Sequence, residues 1–128
     1  MSALPWTDAL RLQHEELDTT HEEFVALLNA VHAALGSDGA SAAFAELLEH
    51  TEAHFAMEEA WMAEIGFAAE NCHSSQHRMV LELMREVGRR QAEEPGLLER
   101  LVPALSEWFP QHAAMMDAAL VETLREKA

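Results

Sequence analysis

Residues 44–62 read FAELLEHTEAHFAMEEAWM, and this run decides the fold class. Phe44, Leu47, Leu48, Phe55 and Met62 recur at helical intervals, so the run is an amphipathic helix, expected to start near Ser41 and stop at Gly66. His54 and Glu58 stand four residues apart within it. On a helix that spacing lifts both side chains from one face, about 6 Å apart along the axis. An imidazole and an acid beside a buried stripe need partners, and those must come from elsewhere in the chain.

Working outward, Phe24, Leu28, Val31 and Leu35 mark an earlier helix from Asp18 or Thr19 to Leu35. Asp18 or Thr19 is its expected N-cap, Glu22 completes a capping box with Thr19, and Gly36-Ser37-Asp38-Gly39 ends it. A third helix runs from about Glu70 to Gln91 and stops at Glu94-Pro95-Gly96. The last segment, Leu97 to about Glu126, is helical but contains Pro103 and Pro110, and a bend is expected near Pro110. Short connections between four helices and no β-alternation give an all-α fold. The expected architecture is an up-down-up-down antiparallel four-helix bundle over residues 18–128. An N-terminal arm, residues 1–17, precedes it, anchored by Trp6.

Of 128 residues, 49% are apolar, enough for one packed domain, but no apolar run reaches the ~18 residues of a membrane span. Eight Lys and Arg against 23 Asp and Glu leave a formal charge of −15, which repels phosphate backbones and anionic headgroups. Nucleic acid and membrane are therefore not expected partners. The N-terminus has no basic segment leading into an apolar block, so a cytoplasmic location is expected. With Cys72 as the single cysteine, no internal disulfide can form.

Eight histidines in so acidic a chain call for an explanation. Placed on the helices, His21 falls on the first, His54 and Glu58 on the second, His73 and His77 on the third, and His112 and Asp117 on the fourth. His73 and His77 repeat the four-residue chelate spacing. His112 and Asp117 are five apart and would diverge by roughly 140° on an ideal helix, which suits a wide site better than a single ion. Any one of these residues is more simply read as a satisfied core histidine or a solvated acid. Taken together, that reading would bury imidazoles and carboxylates from four helices without partners. A metal removes the difficulty. The donor set is too large for one tetrahedral zinc and too rich in nitrogen for calcium or magnesium, so two first-row transition ions fit. If both carboxylates and a solvent oxygen bridge, three histidines complete one ion and two leave the other an open position. Iron suits such nitrogen and oxygen donors, and ligand type admits manganese or cobalt as well.

The series Asp18-Thr19-Thr20-His21, His54 to Glu59, His73-Ser74-Ser75-Gln76-His77 and Trp108-Phe109-Pro110-Gln111-His112 followed by Asp117 resembles the hemerythrin family over nearly the whole chain. The resemblance implies a bundle holding two iron ions bridged by Glu58, Asp117 and an oxo or hydroxo group. It assigns His73, His77 and His112 to one iron and His21 and His54 to the other, with dioxygen bound at the less-coordinated iron. Two positions depart from the family: Ala113, where isoleucine is frequent, thins the apolar wall near the site, and His50 stands where an aromatic is common.

The function expected is reversible dioxygen binding for storage, delivery or sensing rather than catalysis, because a site with two carboxylates among neutral imidazoles resists high-valent iron. Nitric oxide, peroxide or azide could occupy the same position. A diiron enzyme acting on peroxide or nitric oxide, or an interaction module stapled by metal, are the competing readings. His50 is read as a half-exposed helix residue or a proton relay, His32 as structural and His14 as solvent-facing. Cys72 is read as a small packing residue, Met57, Met62, Met115 and Met116 as core filler with Met115 the best pocket candidate among them, and Glu46, Glu49 and Glu59 as solvated charge.

Overall fold

The computed structural model describes residues 3–127, so the outermost residues of the expected arm and bundle, 1, 2 and 128, lie outside the described residues. A short 3-10 turn at Asp8–Leu10 leads into α1 (Glu15–Ala34), α2 (Ala40–Glu64), α3 (Cys72–Arg90) and α4 (Gly96–His112). A π turn, Ala113–Asp117, then joins α4 to α5 (Ala118–Lys127), and the backbone on either side of it stays helical. Each of α1 to α3 packs on its successor, and α1 packs on α4, closing a four-helix bundle in which α4 and α5 form the fourth rod.

Local chemistry sets the helix ends. Gly66, at φ 86°, takes the left-handed position beyond α2. Its N–H donates to the Ala63 carbonyl and that of Phe67 to the Met62 carbonyl, which satisfies two of the last carbonyls. Asn71 caps α3 by accepting from the Ser74 N–H, while the Ser74 hydroxyl accepts from the Asn71 N–H. The start of α1 differs from expectation. His14, not Asp18 or Thr19, is the N-cap, and its Nδ1 accepts from the Leu17 N–H at 3.1 Å. The helix is extended because Leu17 is fully buried and continues the apolar stripe back by a further turn. Asp18, now inside the helix, accepts from the N–H groups of Leu12 and His14 and ties down the preceding loop.

Leu4 and Leu10 bury themselves in the core, Trp6 is half-buried against it, and Asn29 exchanges two hydrogen bonds with the Leu4 backbone. Arg125, from the far end of the chain, donates to the carbonyls of Leu12 and Gln13.

Antiparallel packing places the C-terminal half of α1 beside the N-terminal half of α2, and likewise around the bundle. The contiguous apolar core therefore gathers Phe24, Leu28 and Val31 with Phe44, Leu47, Met84, Val87, Leu101 and Leu105. Toward the other end the same rule gathers the first half of α1, the last half of α2, the start of α3 and the end of α4. There the buried polar residues collect, His21, His54, Glu58, His73, His77, His112 and Asp117, with Phe55 and Phe109 among them. Leu17, Met62, Leu120 and Val121, all buried but separate from the main core, lie one helical turn beyond them along their chains. Among the described residues no helix is long and apolar enough to cross a membrane.

Candidate metal centre

Two of the buried pairs follow directly from α-helix geometry: His54 with Glu58 and His73 with His77, each four residues apart. The third does not. On an ideal α-helix His112 and Asp117 would diverge, yet His112 Nε2 stands 3.2 Å from Asp117 Oδ1. The π turn is the reason. The Ala118 N–H donates to the Ala113 carbonyl five residues back, so one extra residue fits into the turn and positions five apart return to one face. α4 runs through Pro103 and Pro110 to His112, and the fourth rod is then widened at Ala113–Asp117.

Nε2 atoms converge on two carboxylates. His73 Nε2 lies 2.9 Å from both Glu58 Oε1 and Asp117 Oδ1, His77 Nε2 is 3.4 Å from Glu58 Oε1, and His21 Nε2 is 3.0 Å from Asp117 Oδ2. His54 Nε2 abuts Glu58 Oε2. The donors fall into two groups that could each hold an ion: Glu58, His73, His77, His112 and Asp117 in one, and His21, His54 and Glu58 in the other, with the donor atoms of each group within 4.8 Å of one another. All seven sequence-predicted side chains thus meet in one buried layer.

Three of the rings are held by neighbours. Phe55 stacks on His77 with ring centres 3.9 Å apart and planes 4° from parallel, and Trp108 stacks on His112 at 4.4 Å. His21 meets the edge of Phe109 at 4.9 Å. Sequence reasoning missed two further partners. His77 Nδ1–H donates to Glu59 Oε2 at 3.1 Å, and His112 Nδ1–H donates to Gln76 Oε1 at 2.7 Å. Glu59 is half-exposed but is not simply solvated charge. The signal for both was adjacency to a candidate ligand, Glu59 beside Glu58 and Gln76 beside His77, and the pairing itself needs the packed structure.

Burial by itself would raise the Glu58 carboxyl, but the imidazoles of His54, His73 and His77 outweigh it and hold the group at about 2, against an ordinary 4.5. Asp117 is likewise held well below its ordinary value, since His112, His21 and His73 overcome its burial. Burial would lower His73, yet Asp117 and Glu58 facing it raise it to about 9 from 6.5. His112 goes the other way, because burial wins there. In the metal-free protein the raised His73 adds stability that is complete below about 6.5 and disappears as pH rises through about 9. The lowered Glu58 adds stability that is complete above about 4.5 and disappears as pH falls through about 2. The urea midpoint of metal-free protein is therefore expected to fall between about pH 6.5 and about pH 9. A midpoint that holds or rises across that window would show that His73 is not charged against the two acids.

The remaining histidines stay outside the cluster. His50 is half-buried, with Nε2 3.1 Å from Glu23 Oε1 and its ring 6.0 Å from that of His54. His14 is not solvent-facing, because it caps α1 and tilts against Trp61. His32 is half-buried near the opposite end of α1. Cys72, expected as a packing residue, is exposed at the first position of α3, and Met115, expected in the core or lining a pocket, is 69% exposed because the π turn directs Ala113 and Asp117 inward instead. Ala113 is buried in the apolar core.

What distinguishes this layer from an ordinary polar core is the lack of conventional hydrogen bonds for the atoms that face inward. Nε2 of His21, His54, His73, His77 and His112, and both oxygens of Glu58 and Asp117, are buried without a hydrogen-bond partner. Orphaned atoms at that density cost several kcal/mol unless something positive lies between them. A nitrogen and carboxylate donor set aimed at two centres fits transition-metal ions.

Comparison with known proteins agrees. The chain matches the Hemerythrin HHE cation binding domain over residues 12–124. It is similar to a bacteriohemerythrin of Ralstonia nicotianae, 42% identical over 128 residues that cover 99% of this chain and 93% of that protein. A bacteriohemerythrin of Pseudomonas paraeruginosa is 29% identical over 98% of this chain and 84% of its own length. One from Campylobacter jejuni is 30% identical over 94% and 89% respectively. With the bundle, the buried donor layer and a match that spans nearly every described residue, the chain belongs to the hemerythrin family.

Proposed function

We propose that the protein is a non-heme diiron protein that binds dioxygen reversibly. His73, His77 and His112 would hold one ion, His21 and His54 the other, and Glu58 and Asp117 would serve both. The observation that carries this reading is the division of one buried donor layer into a three-histidine and a two-histidine group that share Glu58, with Asp117 of the first group also 3.0 Å from His21 Nε2 of the second. The two-histidine group is one imidazole short, and that is where a small ligand would bind. Iron held there would supply the electrons that dioxygen binding requires and take them back on release.

The side chains around the two-histidine end support release rather than turnover. Phe24 stacks on Phe109 at 4.7 Å, Phe109 meets His21, and Phe24 lies 6.5 Å from His54, so the wall there is aromatic and apolar. Such a wall excludes the water and protons that would carry off reduced oxygen. His50, the nearby candidate for a proton relay, has its Nε2 engaged by Glu23 at the surface.

Azide tests the open position. Added to the oxidised, iron-loaded protein, it is expected to give a new visible band that saturates at a single azide per pair of irons, and to be excluded competitively by dioxygen in reduced samples. A band that keeps growing beyond that ratio, or azide binding indifferent to dioxygen, would place the ligand somewhere other than one open position.

A further inference from the structure

The outer side of the donor layer is asymmetric. In the three-histidine group, His77 Nδ1–H is fixed to the Glu59 carboxylate and His112 Nδ1–H to the Gln76 amide oxygen. In the two-histidine group, Nδ1 of His21 and of His54 is buried without any partner. A carboxylate or amide oxygen can only accept from the ring, so each fixes the tautomer with the proton on Nδ1 and the Nε2 lone pair facing inward. A carboxylate in that position also makes the imidazole a stronger donor. Ring orientation follows the same division. His77 and His112 lie against the flat faces of Phe55 and Trp108, whereas His21 and His54 have only edge or tilted contacts with Phe109 and Phe55.

We propose that Glu59 is a positioning residue that, through its hydrogen bond to His77, makes the three-histidine group the tighter of the two ion sites, so that it fills first and empties last. This rests on the two-ion reading above. Glu59 is 44% exposed, so its bond to His77 is partly screened by water. Outer partners of metal-bound imidazoles change affinity by about 10- to 100-fold, and the exposure of Glu59 places its effect at the lower end.

Cobalt(II) alone is the probe, because its visible bands report its donor set. Metal-free protein is loaded with cobalt, and release to a chelator is followed by absorbance. The wild-type protein is expected to take up two ions and lose them in two phases, the slow phase carrying the spectrum of the ion that bound first. Glu59→Ala should speed the slow phase about tenfold and leave the fast phase and the helical circular dichroism unchanged. Glu59→Gln, which keeps an acceptor oxygen but loses the charge, should fall between the two. Equal acceleration of both phases would reveal a general loosening of the bundle and overturn the proposal, as would an unchanged slow phase. Two ions leaving in a single phase would overturn it while the two-ion reading stood. Uptake of fewer than two ions would overturn both.

Discussion

His77→Ala protein is expected to purify with no more than half the iron of the parent while remaining helical. Substitution removes an inward-facing Nε2 from the three-histidine group and, with it, the ring on which Phe55 stacks and the outer bond to Glu59. Loss of an outer partner alone costs a metal site about 10- to 100-fold in affinity, so loss of the donor itself should cost at least about 100-fold. His32→Ala is the natural control, since His32 lies on α1 eleven residues beyond His21, away from the donor layer. Elemental analysis of both variants, with circular dichroism to confirm folding, decides the point. Full iron in the His77 variant, or equal loss in the two variants, would remove His77 from the ligand set.

The second large effect is on stability. Stripping the metal leaves imidazole nitrogens and carboxylate oxygens from four helices packed together, and the nine that face inward, Nε2 of five histidines and both oxygens of two acids, are without hydrogen-bond partners. Ion pairing between His73 and the two acids recovers part of the cost in the metal-free state. Each ion present at 100 times its dissociation constant stabilises the folded chain by about 2.7 kcal/mol. In a domain of this size 1 kcal/mol moves the melting temperature by about 4 °C, so two ions should raise it by about 20 °C. Calorimetry of metal-free and iron-loaded protein measures this directly. Coincident melting curves would mean that the donor layer is satisfied without metal.

Much of the fold and of the donor layer was legible in the sequence because it rests on α-helical spacing. His54 with Glu58 and His73 with His77 needed only the four-residue rule, and His21 needed only its place on the stripe of Phe24 and Leu28. His112 and Asp117 were found as residues, but their geometry was not, since Ala113-Ala114-Met115-Met116 carries no local mark of a π turn. The same omission misplaced Met115, whose exposure depends on which residues the widened turn sends inward.

The start of α1 was misjudged for a different reason. Histidine is not among the usual N-caps, and the loop before it is fixed by Asp18 from within the helix and by Arg125 from the other end of the chain. Glu59 and Gln76 show a third limit. A helix wheel shows which residues share a face, but not that two neighbours on α2 and α3 reach the outer nitrogens of His77 and His112.

Dioxygen itself provides the most direct test of the central claim. Iron-loaded protein, reduced and held without oxygen, is mixed with oxygenated buffer in a stopped-flow spectrophotometer. A dioxygen carrier should develop a visible absorption band within the mixing time, lose it when the solution is purged with inert gas, and regain it through repeated cycles with both irons retained. Oxidation that purging cannot reverse, or no band from protein shown to hold two reduced irons, would contradict reversible dioxygen binding at this centre.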